Sequence, residues 1–402
     1  MLSEITILKN PLKFYDWGST RALQELLGET GLRERPVAEV WMGAHPDAPS
    51  QVLLEGKWVS LGKAIEQGPE FVLNNKVSKK FSGKLPFLFK VLAAERPLSI
   101  QAHPNKEQAR RGFVREDSLG IPGHAPQRNY KDEHHKPELL CALEPFQGLK
   151  GFRPVEEILE LMGKVSSSAL SEELKRLRSD PGPGGLRRFF AALLRKGRDE
   201  RVGLVTEAVR QAKSLVSQEP AVEWVIRLHD EHPGDVGVLS PLILNLFVLE
   251  PGEALYLAPG QLHAYLHGVG IEVMANSDNV LRGGLTTKHV DVEQLLRIVD
   301  FRSDSIIPLR PRMKRKGEMS YQTPAEEFLL SVISVVPDTP FTAPPDRSVE
   351  ILICVQGGGE IKDSGTGSSL PLARGRSVII PAAVPGYCIE GRATLYKASV
   401  PP

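Results

Sequence analysis

Gln101 and His103 stand two residues apart in Ser99-Ile100-Gln101-Ala102-His103-Pro104. On a strand this spacing puts both side chains on one face, and an amide oxygen beside an imidazole is a natural metal half-site. A second stretch, Asn129-Tyr130-Lys131-Asp132-Glu133-His134-His135-Lys136-Pro137-Glu138, is dense in ionisable groups. Its proline biases Lys136 to an extended conformation and starts Glu138 in a strand. Taken singly, each stretch is better explained as a solvated polar face. A third begins at His263 and runs through Tyr265, Glu272, Asn276-Ser277-Asp278-Asn279 and Arg282-Gly283-Gly284 to Lys288. Asn-Ser-Asp-Asn favours a turn, and the paired glycines allow a tight backbone path beside Arg282.

The elements that must position these residues are mainly β. Short apolar runs broken by Gly, Pro and Asn (Val37–Met42, Gln51–Leu54, Phe87–Ala93) predict a β-sandwich or jelly roll over residues 1–152. After Gly151 the period changes. Val155, Ile158, Leu159 and Met162 share one helix face, as do Leu170, Leu174 and Leu177, then Leu186, Phe189, Phe190, Leu193 and Leu194. Val202 to Val216 and Val222, Val225, Ile226 and His229 continue the pattern, so residues 153–235 form a helical insert. Asp180-Pro-Gly-Pro-Gly-Gly separates two of its helices. Strands resume over residues 236–325, which include a helical Val292–Val299 and a charged crossover, Pro308–Lys316. A smaller β domain follows over residues 326–402.

Gly252-Glu253-Ala254-Leu255-Tyr256-Leu257-Ala258-Pro259-Gly260-Gln261-Leu262-His263 resembles the second metal-binding motif of cupins, with His263 projecting into the barrel. Gly375 to Pro385 repeats the pattern with Pro385 where His263 stood, which describes a degenerate C-terminal cupin. Tyr130 to Glu138 and His263 to Lys288, together with Phe14-Tyr15-Asp16-Trp17-Gly18-Ser19, Glu39-Val40-Trp41-Met42-Gly43-Ala44-His45-Pro46 and Leu85 to Lys90, follow in the order found in type I phosphomannose isomerases. The chain resembles that family from about residue 10 to 290. It departs from the family pattern at His134 (usually Asn), Gly283 (usually Ala) and Thr287 (usually Pro).

The resemblance implies a zinc-dependent aldose–ketose isomerase acting on mannose 6-phosphate and fructose 6-phosphate through a cis-enediol, feeding GDP-mannose synthesis or glycolysis. It implies one Zn²⁺ per chain, held by Gln101, His103, Glu138 and His263. It places His135, Lys136, Asp278 and Arg282 around the chemistry and leaves the base open among them. His135 has the most suitable ordinary pKa, whereas Arg282 stays protonated and suits an anion. Lys90, Ser99 and Lys288 are expected at the phosphate, Tyr265 and Glu272 beside ligands or substrate, and Trp17 in the pocket wall or the core.

Composition agrees with such a protein. The chain has 50 basic and 49 acidic residues, a formal charge of +1, so no basic excess invites nucleic acid and anion recognition must be local. The start lacks a secretory pattern, and no run of about 18 or more apolar residues suggests a membrane span. Three scattered cysteines argue against disulfides and thiolate metal sites. A cytoplasmic monomer whose partner is a small sugar phosphate is expected. A sugar-binding metal cupin without catalysis would lack need of Lys136, Arg282 and Lys288. An iron oxidoreductase would favour two His and one carboxylate with open positions.

Overall fold

The computed structural model describes residues 1–29, 31, 35–165, 168–215 and 219–401. The fold is mainly β and its sheets are antiparallel. Its organising element is the long strand His263–Ala275, which belongs to both halves of the first β unit. The first residues of this strand pair with Phe146–Phe152 and Ile100–Ala102, and its later residues with Phe87–Ala94 and Glu138–Ala142. One bent strand therefore carries His263 on one sheet and Glu272 on the other, facing across the barrel.

Alternation explains which residues enter that barrel. In Glu138–Ala142, Leu139 and Cys141 pack into the core shared with the second β unit, while Leu140 and Ala142 join a separate cluster with Leu92, Phe146, Leu255 and Tyr265. Glu138 shares the parity of Leu140 and so points inward. Lys90 shares that of Leu92, and Glu39 and Trp41 are matched to Leu92 and Lys90 across the neighbouring strand.

The helical block comprises Val155–Val165, Ser171–Ser179, Pro183–Arg195, Arg198–Ala212 and Pro220–Glu231. Its apolar faces pack on Ile100, Leu262 and Leu281, beneath the strands that carry Gln101, His263 and Arg282. Two expectations change here. Pro183, Gly184 and Gly185 form the first turn of a helix instead of only a break, because a first-turn proline lacks an N–H that would have no partner there anyway. Val202 is 44% exposed; the buried stripe of its helix is Leu204, Val205, Ala208, Val209 and Ala212. Val216 lies outside the described residues.

Helices also occur within the stretch read as strands, at Leu61–Glu66, Pro69–Leu73, Asn75–Lys80 and Lys106–Ser118. Asn105 starts the last of these with a capping box, its side chain accepting from Gln108 N–H while the Gln108 side chain accepts from Asn105 N–H. The second sheet holds Leu329–Val335, Glu350–Asp363, Ser377–Ile380 and Tyr387–Ser399. The N-terminal strand Thr6–Lys9 joins it, with Thr6 opposite Ile379, and Gln51–Leu54 pairs alongside.

Candidate active site

Register brings Arg282, Gln101, His263 and Lys150 into one row. Arg282 is opposite Gln101, and His263 is opposite both Gln101 and Lys150. Cross-strand partners project to the same side of a sheet, so this row faces the inward residues of the other sheet. His103, just beyond the Ile100–Ala102 strand, and Glu138 complete the centre.

His103 Nε2 lies 3.4 Å from one Glu138 oxygen, and His263 Nε2 lies 3.3 Å from the other. All three side chains are at least nine-tenths buried. The Nδ1 atoms fix the tautomers. That of His103 is 2.7 Å from the Asn279 carbonyl, and that of His263 is 3.0 Å from the Gln261 carbonyl. A carbonyl only accepts, so each Nδ1 carries a proton, and in the neutral imidazole it is Nε2 that presents the lone pair. His103 Nε2 is buried and has no hydrogen-bond partner. Two lone pairs and a carboxylate facing one another in a low-dielectric pocket repel unless a cation lies among them. Two neutral imidazoles and a carboxylate fit a divalent ion such as zinc. Burial lowers the His103 imidazole to about 4, which keeps it neutral for that task. Burial alone would raise the Glu138 carboxyl, but the buried Lys136 ammonium beside it acts the other way and favours the carboxylate.

Lys136 Nζ stands 3.5 Å from Glu138 Oε1 and is buried with it. Asp278 is half-buried, and His45 Nε2 lies 3.4 Å from its Oδ1. Burial would raise Asp278, yet the contact with His45 and the charges of Lys136 and Lys131 bring it to about 2, so it is a fixed anion. Tyr265 donates to Glu272 Oε1 at 2.8 Å, and its ring centroid is 6.2 Å from that of His263.

Arg282, Lys288 and Lys131 make no ion pair with a carboxylate among the described residues. Burial and then the charges of Arg282 and Lys131 lower Lys288, and burial lowers Arg282. This is a local excess of positive charge. Ile100 is opposite Gly284, so half-buried Ser99 stands beside the stretch leading to Lys288.

Two placements depart from the sequence reading, those of His135 and Lys90, and a third, that of Trp17, takes one of its two expected positions. His135 does not face the cluster; its Nε2 is 2.7 Å from Glu327 Oε1 of the second β unit, because Lys136 and Glu138 take the inward positions of an extended segment. Lys90 is not free for phosphate. Its ammonium lies 3.0 Å from Glu272 and 3.4 Å from Glu39 in a buried site. Burial would lower it, but these two carboxylates raise it strongly. Trp17 is not in the core: it is half-exposed and stacked on Tyr15, centroids 5.6 Å apart. Tyr15 is raised by burial and feels the charges of Glu39, Lys90 and Asp278, so the stacked pair borders the pocket.

Sequence reasoning missed Asn279 and Asp132. Fully buried Asn279 accepts from the N–H groups of Lys131 and Asp132 and donates to the carbonyls of Asp132 and His134. Asp132 accepts from Ser277 Oγ and from Asp278 N–H. The turn-prone composition of 276–279 signalled a loop, and the Asp in the ionisable run signalled a possible partner. Glu39, Trp41 and Lys150 were also missed as inward residues, although Trp41 Nε1 donates to Glu39 at 2.8 Å.

Comparison with known proteins places this geometry in context. Residues 5–155 match the family described as phosphomannose isomerase type I, catalytic domain. The chain is 39% identical over 396 residues to mannose-6-phosphate isomerase of Escherichia coli K12, spanning 97% of this chain and 98% of that one. It is 34% identical over 398 residues to the human mannose-6-phosphate isomerase, spanning 92% and 91%. A crystal structure of the Salmonella typhimurium mannose 6-phosphate isomerase with fructose 6-phosphate and zinc aligns over 99% of both chains, with a TM-score of 0.90 and 37% identity. A zinc-bound structure of a mannose 6-phosphate isomerase aligns over 99% of both chains at 36% identity and the same TM-score, 0.90.

Proposed function

The chain belongs to the type I phosphomannose isomerases, and we propose that His103, Glu138 and His263, with Gln101 beside them, hold its zinc ion while Lys136 moves the proton. The enzyme interconverts mannose 6-phosphate and fructose 6-phosphate, it uses zinc, and its fold is a cupin. The observation that carries the ligand assignment is the partnerless, buried His103 Nε2 facing a carboxylate and a second imidazole lone pair. Bound there, zinc supplies positive charge that polarises the sugar's carbonyl.

The remaining work falls to this chain's own groups. Isomerisation removes the proton from C2 of the aldose, passes through a cis-enediol, and returns a proton to C1, while the hydroxyl proton moves from O2 to O1. A single base on one face of the sugar serves both carbons. Lys136 is assigned that role because its nitrogen reaches the Glu138 carboxylate itself. Asp278, held ionised by His45, faces the same space and orients the sugar through its hydroxyls. Arg282, Lys288 and Lys131 are assigned the phosphate, with Ser99 beside them, since they are cations without carboxylate partners among the described residues. Lys90 instead holds Glu39 and Glu272 in place, and through Glu272 it fixes Tyr265. Tyr15 and Trp17 form the outer wall.

We further propose a cytoplasmic monomer that supplies mannose phosphates to GDP-mannose synthesis or passes mannose to glycolysis. Cys141, Cys354 and Cys388 are all free, as a reducing compartment favours. No helix among the described residues is long and apolar enough to cross a membrane.

Lys136→Met tests the assignment. It is expected to bind zinc normally and to lose about 10²- to 10⁴-fold in kcat, together with deuterium uptake from D₂O into the sugar. Turnover close to that of the wild type would remove Lys136 from the chemistry.

A further inference from the structure

The segment that presents Lys136 and Glu138 is anchored on two sides. On its inner side Asn279 and Asp132 tie residues 131–134 to the 277–279 turn, and Pro137 accepts from Ala275 N–H at 3.1 Å. On its outer side the only group that reaches His135 in a described hydrogen bond comes from the other β unit. His135 Nε2 lies 2.7 Å from Glu327 Oε1, and the Glu327 side chain is 9% exposed.

Glu327 is itself well fixed. It lies two residues before the first residue of the strand Leu329–Val335, and Phe328 between them is fully buried. Its second oxygen accepts from Glu326 N–H at 3.2 Å. Lys106, at the start of the helix Lys106–Ser118, lies 3.8 Å from Glu327 and 3.4 Å from Glu326, and Lys80 lies 3.5 Å from Glu326. A buried carboxylate held from several directions is a stiff partner, and a 2.7 Å contact to an imidazole is a strong, charge-assisted one.

Consecutive residues of an extended segment point to opposite sides, so His135 faces outward to Glu327 when Lys136 faces inward to Glu138. Holding one fixes the other. We propose that Glu327, from the second β unit, is a positioning residue for the isomerisation: through His135 it sets where Lys136 stands over the Glu138 cluster. This gives the C-terminal unit a part in the reaction although it contributes no group to the metal cluster. The proposal rests on Lys136 being the proton carrier.

The test uses the full-length, zinc-loaded enzyme and a double-mutant cycle of Glu327→Ala, His135→Ala and both together, with Glu327→Gln and His135→Gln as conservative controls. Each alanine variant is expected to keep its zinc and nearly its KM and to lose about 10- to 100-fold in kcat, the scale of an ångström-sized misplacement. The double variant loses no more than the worse single one, because both remove the same link. Both glutamine variants keep a hydrogen bond between the two positions and retain most of kcat. An unchanged kcat in Glu327→Ala overturns the proposal, as does a double variant whose loss is the product of the singles. His135→Ala losing far more than Glu327→Ala, with no recovery in His135→Gln, would make His135 a chemical participant and overturn it too. If an alanine variant does not fold, the glutamine pair decides, since loss of kcat in either contradicts a positioning role. Failure of the Lys136 assignment is read separately, from Lys136→Met.

Discussion

At the scale of single residues, the site is a set of ionisable groups whose protonation is fixed by what lies behind them. The carbonyls of Asn279 and Gln261 decide which nitrogen of His103 and His263 is free. Ligand orientation from behind is as much a part of a metal site as the ligands themselves. The same burial has a cost in acid. His103 sits at about 4 against an ordinary 6.5, with burial as the main cause. Between those values the unfolded chain binds a proton that the folded chain refuses, so stability falls as pH falls. In the metal-free protein this contribution is fully present above pH 6.5 and is lost progressively as pH drops to 4, about 3 kcal/mol at most. Urea unfolding of the chelated protein at a series of pH values measures it. The wild type should lose stability over that window more steeply than His103→Gln, and equal slopes would contradict the buried neutral imidazole.

At the scale of elements, the helix Lys106–Ser118 is the platform beneath the Tyr130–Glu138 segment. Glu116, buried in it, accepts from the N–H groups of Asn129 and Tyr130 at 3.0 and 2.9 Å. Gly112 lets the Tyr130 ring lie against the helix, since a Cβ there would come within 2.4 Å of the ring. Gly112→Ala should therefore push Tyr130 off the helix and destabilise the protein by about 1–3 kcal/mol through overpacking. It should also lower kcat while zinc content is preserved. A variant as active and as stable as the wild type would show that the platform does not position the segment. This helix was not legible in the sequence: its exposed face is highly charged, and its inner face offers Ala109, Gly112 and Glu116 with Phe113 as its one large apolar residue, so no apolar stripe announces it. The insert helices were legible because large apolar residues repeat at helical spacing, as in Leu186, Phe189, Phe190, Leu193 and Leu194.

At the scale of the whole molecule, the chain is stitched together over long separations. Thr6–Lys9 pairs with Ser377–Ile380, Arg282 comes opposite Gln101, and His135 meets Glu327. Local sequence carries no signal for such pairings, and this sets the limit of what was readable. The residue types and spacing of Gln101, His103, Glu138 and His263 were visible as candidates because each lies in a short motif. The fate of Lys90 and His135 was not visible, since it depends on carboxylates (Glu39, Glu272, Glu327) brought in by distant strands. Family resemblance placed both near the pocket, and the fold paired both with carboxylates.

Zinc held by the His103–Glu138–His263 cluster and the isomerisation of mannose 6-phosphate should stand or fall together. The most direct measurement follows zinc content and turnover in parallel, through chelation and stepwise return of zinc, in the wild type and in Glu138→Gln. The wild type should lose both on chelation and regain activity in proportion to zinc, complete at one ion per chain. Glu138→Gln should bind zinc at least 10-fold more weakly and recover little activity. Full turnover by the metal-free enzyme, or normal zinc binding and turnover in Glu138→Gln, would contradict it.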